Sequence, residues 1–371
     1  MAIWKIDELG EFVTLKRGYD LPQQKRKNGE IPIFSSSGVT GTHNEAMVEA
    51  PGVITGRYGT IGEVFFAETS FWPLNTTLYV ENFHENDEKF VYYFLKTLEW
   101  KKFASASAVP GINRNTVHIE IVRFPDFETQ QKIASVLSTI DKKIAVNKAI
   151  NDNLEQQAAT YFQELFINNA NPMWQISTIS DLGTVVGGST PSKTKPEYYT
   201  NNGIAWITPK DLSINKSKFI SHGENDITEL GLKNSSATVM PKGTVLFSSR
   251  APIGYIAIAS NEVTTNQGFK SVIPYSEIGT AFVYFFLKHS LPVIESAASG
   301  STFKEISGSA MKNIPAIIPD RNTLDQFNSF CAPIFAQQKI LEEQNHSLAM
   351  LRDSLLPKLM SGAIDIASIQ L

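Results

Sequence analysis

Cysteine is nearly missing from this chain: Cys331 stands alone among 371 residues, which excludes an internal disulfide framework. It falls on an apolar helical seam, so it reads as a small core residue and not as a nucleophile. Long hydrophobic runs are missing too. The longest, Ala281–Leu287, is stopped by Lys288 and His289, well short of the roughly 18 residues a membrane helix needs. The opening Met1–Glu11 has no apolar signal-peptide region. The expectation is a cytoplasmic protein, in which the sequons at Asn75, Asn215 and Asn234 carry no sugar.

Charge is modest. Charged residues make up 19% and the net charge is −4, which at first argues against a nucleic-acid partner. The distribution weakens that objection. Residues 1–127 hold 13 Lys/Arg against 16 Asp/Glu, yet Lys16, Arg17, Lys25, Arg26 and Lys27 fall within twelve positions, with only Asp20 among acids between them. Residues 169–321 hold 13 Lys/Arg against 11 Asp/Glu.

Catalytic signatures are also lacking. There is no G-x-x-x-x-G-K-[ST] loop, no G-x-G-x-x-G after a strand, no H-E-x-x-H and no paired C-x-x-C, so no metal site is expected. The six histidines, His43, His84, His118, His222, His289 and His346, are scattered. Asn171-Pro-Met-Trp174 is faintly similar to the N-P-P-[FY] motif of DNA amino-methyltransferases. Its third residue is Met and no cofactor motif precedes it, so it reads as a linker. Asp126 and Asp320 each follow a proline and suit helix starts.

What the chain does have is a repeat. Ile133, Ile140, Leu154 and Tyr161 recur in steps of seven around a gap at Asn147. A second row, Leu137, Ile144, Ala158 and Leu165, lies four residues on, with its gap at Asn151. Alternating steps of four and three are a coiled-coil seam. Shifted by 194, the rows become Phe327, Ile334, Leu341, Leu348, Leu355 and Cys331, Gln338, Asn345, Arg352, Leu359. The polar residues Asn147, Asn151, Gln338 and Asn345 would fix register at some cost in stability. Pro333 predicts a kink or a late start of the second helix. Thr129 and Thr323 mark the expected starts.

The rest repeats as well. Trp4–Gly10 matches Trp174–Gly183, and Pro51–Gly62 matches Pro241–Gly254, which aligns Arg57 with Arg250. Asn75 aligns with Asn266, Tyr93–Lys96 with Phe285–Lys288, and Val122–Asp126 with Ala316–Asp320. The second copy carries an insertion around 187–240. Gly52–Gly62 and Thr244–Ala259 read as strands, and Phe90–Trp100 and Ala281–Leu291 as short buried helices. Long polar loops between them suit a binding surface.

Candidate DNA contacts in the first copy are Lys16, Arg17, Tyr19, Lys25, Arg26, Lys27, Arg57, Tyr58, Asn113 and Arg114. Those in the second are Thr190, Lys193, Lys195, Lys210, Lys216, Lys218, Arg250 and Lys304. Cations hold phosphates, while Arg, Asn, Gln, Ser and Thr read base edges. The plain alternatives are solvated lysines and, for Arg57 and Arg250, an internal salt bridge.

Together these residues make the chain resemble the specificity (S) subunit of type I restriction–modification enzymes. The carrying features are the two Trp…Gly openings, Gly56-Arg57-Tyr58-Gly59-Thr60-Ile61-Gly62, the run Gln130-Gln131-Lys132-Ile133 leading into the long helix, and Leu355–Gly362. The second copy departs from the family pattern with Leu324-Asp325-Gln326-Phe327. The resemblance implies a mixed α/β fold with twisted sheets and a pseudo-two-fold internal repeat. Its parts would be target recognition domains at 1–127 and 169–321, spacer helices at 128–168 and 322–362 packed as an antiparallel coiled coil, and a tail at 363–371. It implies a chain without catalysis or cofactor of its own. Partners would be double-stranded DNA, two methyltransferase (M) subunits and, through them, two motor/nuclease (R) subunits. S-adenosylmethionine, ATP and Mg²⁺ would sit on those partners. Other readings are a component of another methylation-based defence system, an enzyme with an unrecognised site, or a protein-binding scaffold. The tail is expected to return towards Trp4.

Overall fold

The computed structural model describes residues 3–105, 110–300 and 304–366, and residues 367–371 of the expected tail lie outside them. The chain forms two compact units. The first joins both ends of the sequence, residues 1–145 and 346–371; the second is residues 146–345.

In the first unit the repeated opening pairs with the repeated closing: Trp4–Glu8 lies antiparallel to Ile121–Pro125. A four-stranded antiparallel sheet runs in the order Thr14–Arg17, Thr77–Asn82, Gly52–Gly56, Val64–Ala67. The strand Gly52–Gly56 is buried along its whole length; of the strand stretch read over 52–62 it covers the first half, and a turn follows Gly56. A second sheet places Ile31–Ser35 between Gly38–His43 and the short Trp72–Pro73, the last pair being parallel. The core stacks Leu9, Phe12, Phe90, Phe94 and Phe124 against Ile133 and Leu137 and against Leu359 and Met360. Phe90 and Phe124 are fully buried, each contributing about 1.5–3 kcal/mol of transfer energy. Ile364 and Ile366 join this core, and a Cβ at Gly362 would lie 2.9 Å from the Trp4 ring. The described part of the tail therefore does return to Trp4.

The second unit repeats this plan. Gln175–Thr178 pairs with Pro315–Ile318. Its main sheet runs Gly183–Gly187, Lys270–Pro274, Val245–Ser249, Ile253–Ala259, the same order as in the first unit, then adds Phe219–Ile220 in parallel at the edge. The strand stretch read over 244–259 is two strands, joined by a turn at Arg250–Pro252. The smaller sheet keeps the parallel pair, Ile204–Ile207 with Thr264–Thr265. The insertion supplies Tyr199–Thr200, Pro209–Ile214, Phe219–Ile220, Asn225–Ile227 and Glu229–Lys233.

The first long helix is Phe127–Gln163, the second Arg321–Met360. Asp126 accepts the Thr129 N–H at 2.9 Å and Asp320 the Thr323 N–H at 3.0 Å, so these acids cap the helices in place of the threonines. Backbone and side-chain hydrogen bonds to Thr129 and Thr323 hold both carboxyls below their usual values. The second helix runs through Pro333 without a late start. Pro333 is exposed, so water can reach the carbonyl that lacks its helical donor.

Every seam position read from the sequence is buried or half-buried. In the second unit Tyr161 stacks near Phe327, Asn151 lies against Gln338 and Asn147 against Gln344. One number rises as the other falls, so the helices pair antiparallel there. In the first unit Asp141 binds Arg352 at 2.7 Å in the same sense.

Candidate nucleic-acid interface

Each unit gathers loops at the end of its parallel strand pair. In the first, Tyr19 N–H donates to Pro73 O at 2.8 Å and Leu74 N–H to Phe34 O at 2.8 Å. A Cβ on Gly18 would overlap the Leu74 carbonyl, so only glycine lets these loops meet. Arg57 N–H donates to Thr76 O and Ile112 N–H to Arg57 O. Tyr58 forms a bridge with Gly111. Asn113 then caps the short helix Arg114–His118. His118 Nε2 accepts the Leu15 N–H at 2.8 Å; burial holds its pKa down, as a neutral acceptor requires.

The second unit makes the same bonds with other residues. Ser189 N–H donates to Thr265 O and Asn266 N–H to Ile207 O, and Gly188 presses on Asn266 as Gly18 presses on Leu74. Ser249 N–H donates to Gly268 O and Ile306 N–H to Ser249 O, while Arg250 bridges to Glu305. Ser307 caps Gly308–Lys312.

These bonds correct the alignment read from sequence. Arg57 occupies the station of Ser249, and Arg250 that of Tyr58. Asn75 occupies the station of Gln267, not of Asn266. Identical letters one residue out of step misled the reading, whereas the ladder counts residues.

A model of the type I restriction modification DNA specificity domain matches this chain over residues 1–156 and 171–345. The chain belongs to the family of type I restriction–modification specificity subunits. The MjaIX specificity subunit of Methanocaldococcus jannaschii is 43% identical over 162 residues, covering 43% of this chain and 37% of that protein. The HindI specificity subunit of Haemophilus influenzae is 24% identical over 347 residues, covering 72% and 75%. The chain thus spans little more than a third of the length of the first relative and three quarters of the second. A crystal structure of a type I S subunit from M. genitalium shares the fold, with a TM-score of 0.66 at 17% identity over 96% of each chain. Among the described residues no helix is long and apolar enough to cross a membrane.

On this specificity subunit the predicted contacts fall into three groups. Lys25, Lys27, Lys193 and Lys304 are exposed and have no ion pair among the described residues. Arg114 is exposed too, its Nη1 3.4 Å from Leu15 O, and Lys216 sits over the Tyr255 ring at 4.6 Å. A second group is held by neighbours. Lys16 pairs with Glu81, Arg17 with Asp20 at 3.9 Å, Lys195 with Glu197 at 3.7 Å, and Lys210 with Glu224. Tyr19 Oη meets Tyr79 Oη at 3.0 Å, and Arg26 is half-buried. Arg57 donates Nε–H to Ile112 O at 3.1 Å and lies over Tyr58 at 4.6 Å. Thr190 bonds Gln267. Arg250 reaches Glu305 at 3.4 Å, the internal salt bridge weighed above.

Lys218 forms the third group and is a correction. Its side chain is 6% exposed, so it meets no DNA. It pairs with Glu155 and donates to Gln338 at 2.6 Å. Glu342 accepts the backbone N–H of Lys218 at 2.8 Å and of Phe219 at 3.0 Å. The insertion is thereby pinned to the long helices. Sequence offered one signal: the Lys stands in Ser217-Lys218-Phe219-Ile220, where an aromatic and an isoleucine follow it directly.

Proposed function

We infer that this specificity subunit reads a split, asymmetric duplex DNA site within a type I restriction–modification complex, one half-site per unit. The long helices set the unread gap and dock two M subunits, through which two R subunits join. Methylation and cleavage belong to those partners, which bind S-adenosylmethionine, ATP and Mg²⁺, and the complex works in the cytoplasm. One observation carries this reading. Two units hold the same loop scaffold by the same backbone bonds, yet present Tyr58 against Arg250 and Asn75 against Gln267. A common scaffold with different polar side chains is what two different half-sites call for. The exposed cations of the same units supply phosphate contacts that position without reading. The test is to map methylated motifs in a host with and without the gene. The expected result is one bipartite motif with unlike halves that vanishes with the gene. A continuous motif, or none, sinks the reading.

A further inference from the structure

Tyr58 and Arg250 share a station but not a chemistry; at another matched station the chemistry is kept. Asn75 and Gln267 are both carboxamides, and a loop residue clasps each. Asp20, two residues after Gly18, accepts a hydrogen bond from Asn75 Nδ2. Thr190, two residues after Gly188, donates its hydroxyl to Gln267 Oε1. The clasping partner changes from an acceptor to a donor, and the grip moves from the amide nitrogen to the amide oxygen. The carboxamide itself is kept, half-buried in the first unit and exposed in the second.

A carboxamide offers two N–H donors and an oxygen with two lone pairs. Asp20 takes one N–H of Asn75, leaving the other N–H and Oδ1. Thr190 takes one lone pair of Gln267 Oε1, leaving the second lone pair and the amide hydrogens. Each side chain therefore keeps a donor and an acceptor side by side, and each is already oriented. That is the pair an adenine presents partners for in the major groove, N7 as acceptor and N6 as donor.

We propose that Asn75 and Gln267 are matching base readers, each specifying one adenine in its own half-site, with Asp20 and Thr190 as positioning residues that hold the amide plane. This rests on the DNA-reading function above. It makes the two half-sites alike at one base and unlike where Tyr58 and Arg250 occupy another matched station.

The test is motif mapping of the host genome carrying the wild-type gene, Asn75→Ala or Gln267→Ala. Wild type is expected to give a bipartite motif with an adenine in each half. Asn75→Ala should make one adenine position of one half degenerate, its discrimination falling about tenfold to a hundredfold. Gln267→Ala should do the same in the other half only, with the gap unchanged in both. Where an alanine variant melts below wild type, Asn75→Gln and Gln267→Asn, which keep the amide but shift its reach, are read at the same positions. An unchanged motif in both variants overturns the proposal. So does a degenerate position specifying a base other than adenine, or two lost positions in one half. Total loss of methylation by a variant that melts as wild type also counts against it, since one base contact does not carry a whole site. A wild-type host without any bipartite motif would sink the DNA-reading function itself, a distinct outcome.

Discussion

Lys218 shows what a single residue can hide. In sequence it is one more lysine in a polar loop. In the fold its ammonium lies between Glu155 and Gln338 and over the Phe335 ring at 4.1 Å. Burial pushes the Glu155 carboxyl up, but Lys218 and Lys288 outweigh it and hold its pKa below the usual value. Replacing Lys218 with Met should destabilise the intact chain by about 1–3 kcal/mol, because it removes one of the two ammonium partners of Glu155 and leaves it Lys288. Denaturant unfolding reads this. Glu155 is depressed when folded, so its stabilisation is present above about pH 4 and is lost as pH falls through its folded value. The gap between wild type and Lys218→Met should therefore narrow in acid. A cost below about 1 kcal/mol at neutral pH would make the pair a peripheral contact. Cys331, close by, is the opposite case, legible from its seam position alone. Burial pushes its thiol up to about 12, which keeps it unreactive. The difference is physical: an apolar residue declares its burial through periodicity, whereas a buried charge depends on partners far away in sequence.

At the scale of elements the long helices were the most legible part. Steps of four and three named the buried positions of both helices before any contact was known, since a seam must repeat to stay facing its partner. Helix ends were less legible. Asp126 and Asp320, read as helix-start acids, do cap the helices, whereas Thr129 and Thr323 lie inside them and Pro333 did not delay the second helix. The polar seam is the element with a measurable cost. Asn147 is fully buried, its Nδ2 donates to Gln344 Oε1 at a long 3.3 Å, and its Oδ1 has no partner among the described residues. The repeat places Leu341 at the matching position, so leucine suits the seam. Asn147→Leu should therefore raise stability by about 1–2 kcal/mol by removing an unpaired buried amide. The loss would be in register, which the amide specifies. A lower unfolding midpoint in Asn147→Leu would show instead that the amide is fully satisfied.

For the molecule as a whole, the sequence repeat foretold two copies with matching openings and closings and a chain whose end returns to its start; the pairing of opening with closing and the common strand order came from the fold. The repeat did not foretell which side chains share a station, because insertions slide the letters while backbone bonds keep count. On the proposed function the helix pair is the spacer of the site, and this is open to a direct test. Asp141 faces Arg352 and Asn147 faces Gln344, so residues 142–148 lie opposite 343–349. Removing both heptads together keeps each seam in phase and shortens each helix by about 10 Å. At 3.4 Å per base pair that is about three base pairs. The mapped motif should keep both half-sites and lose about three positions from its gap. Deleting one heptad alone should be worse than deleting both, since it throws the antiparallel seam out of match. A double deletion that alters the half-sites and leaves the gap unchanged would mean that spacing is set elsewhere, by the partner subunits.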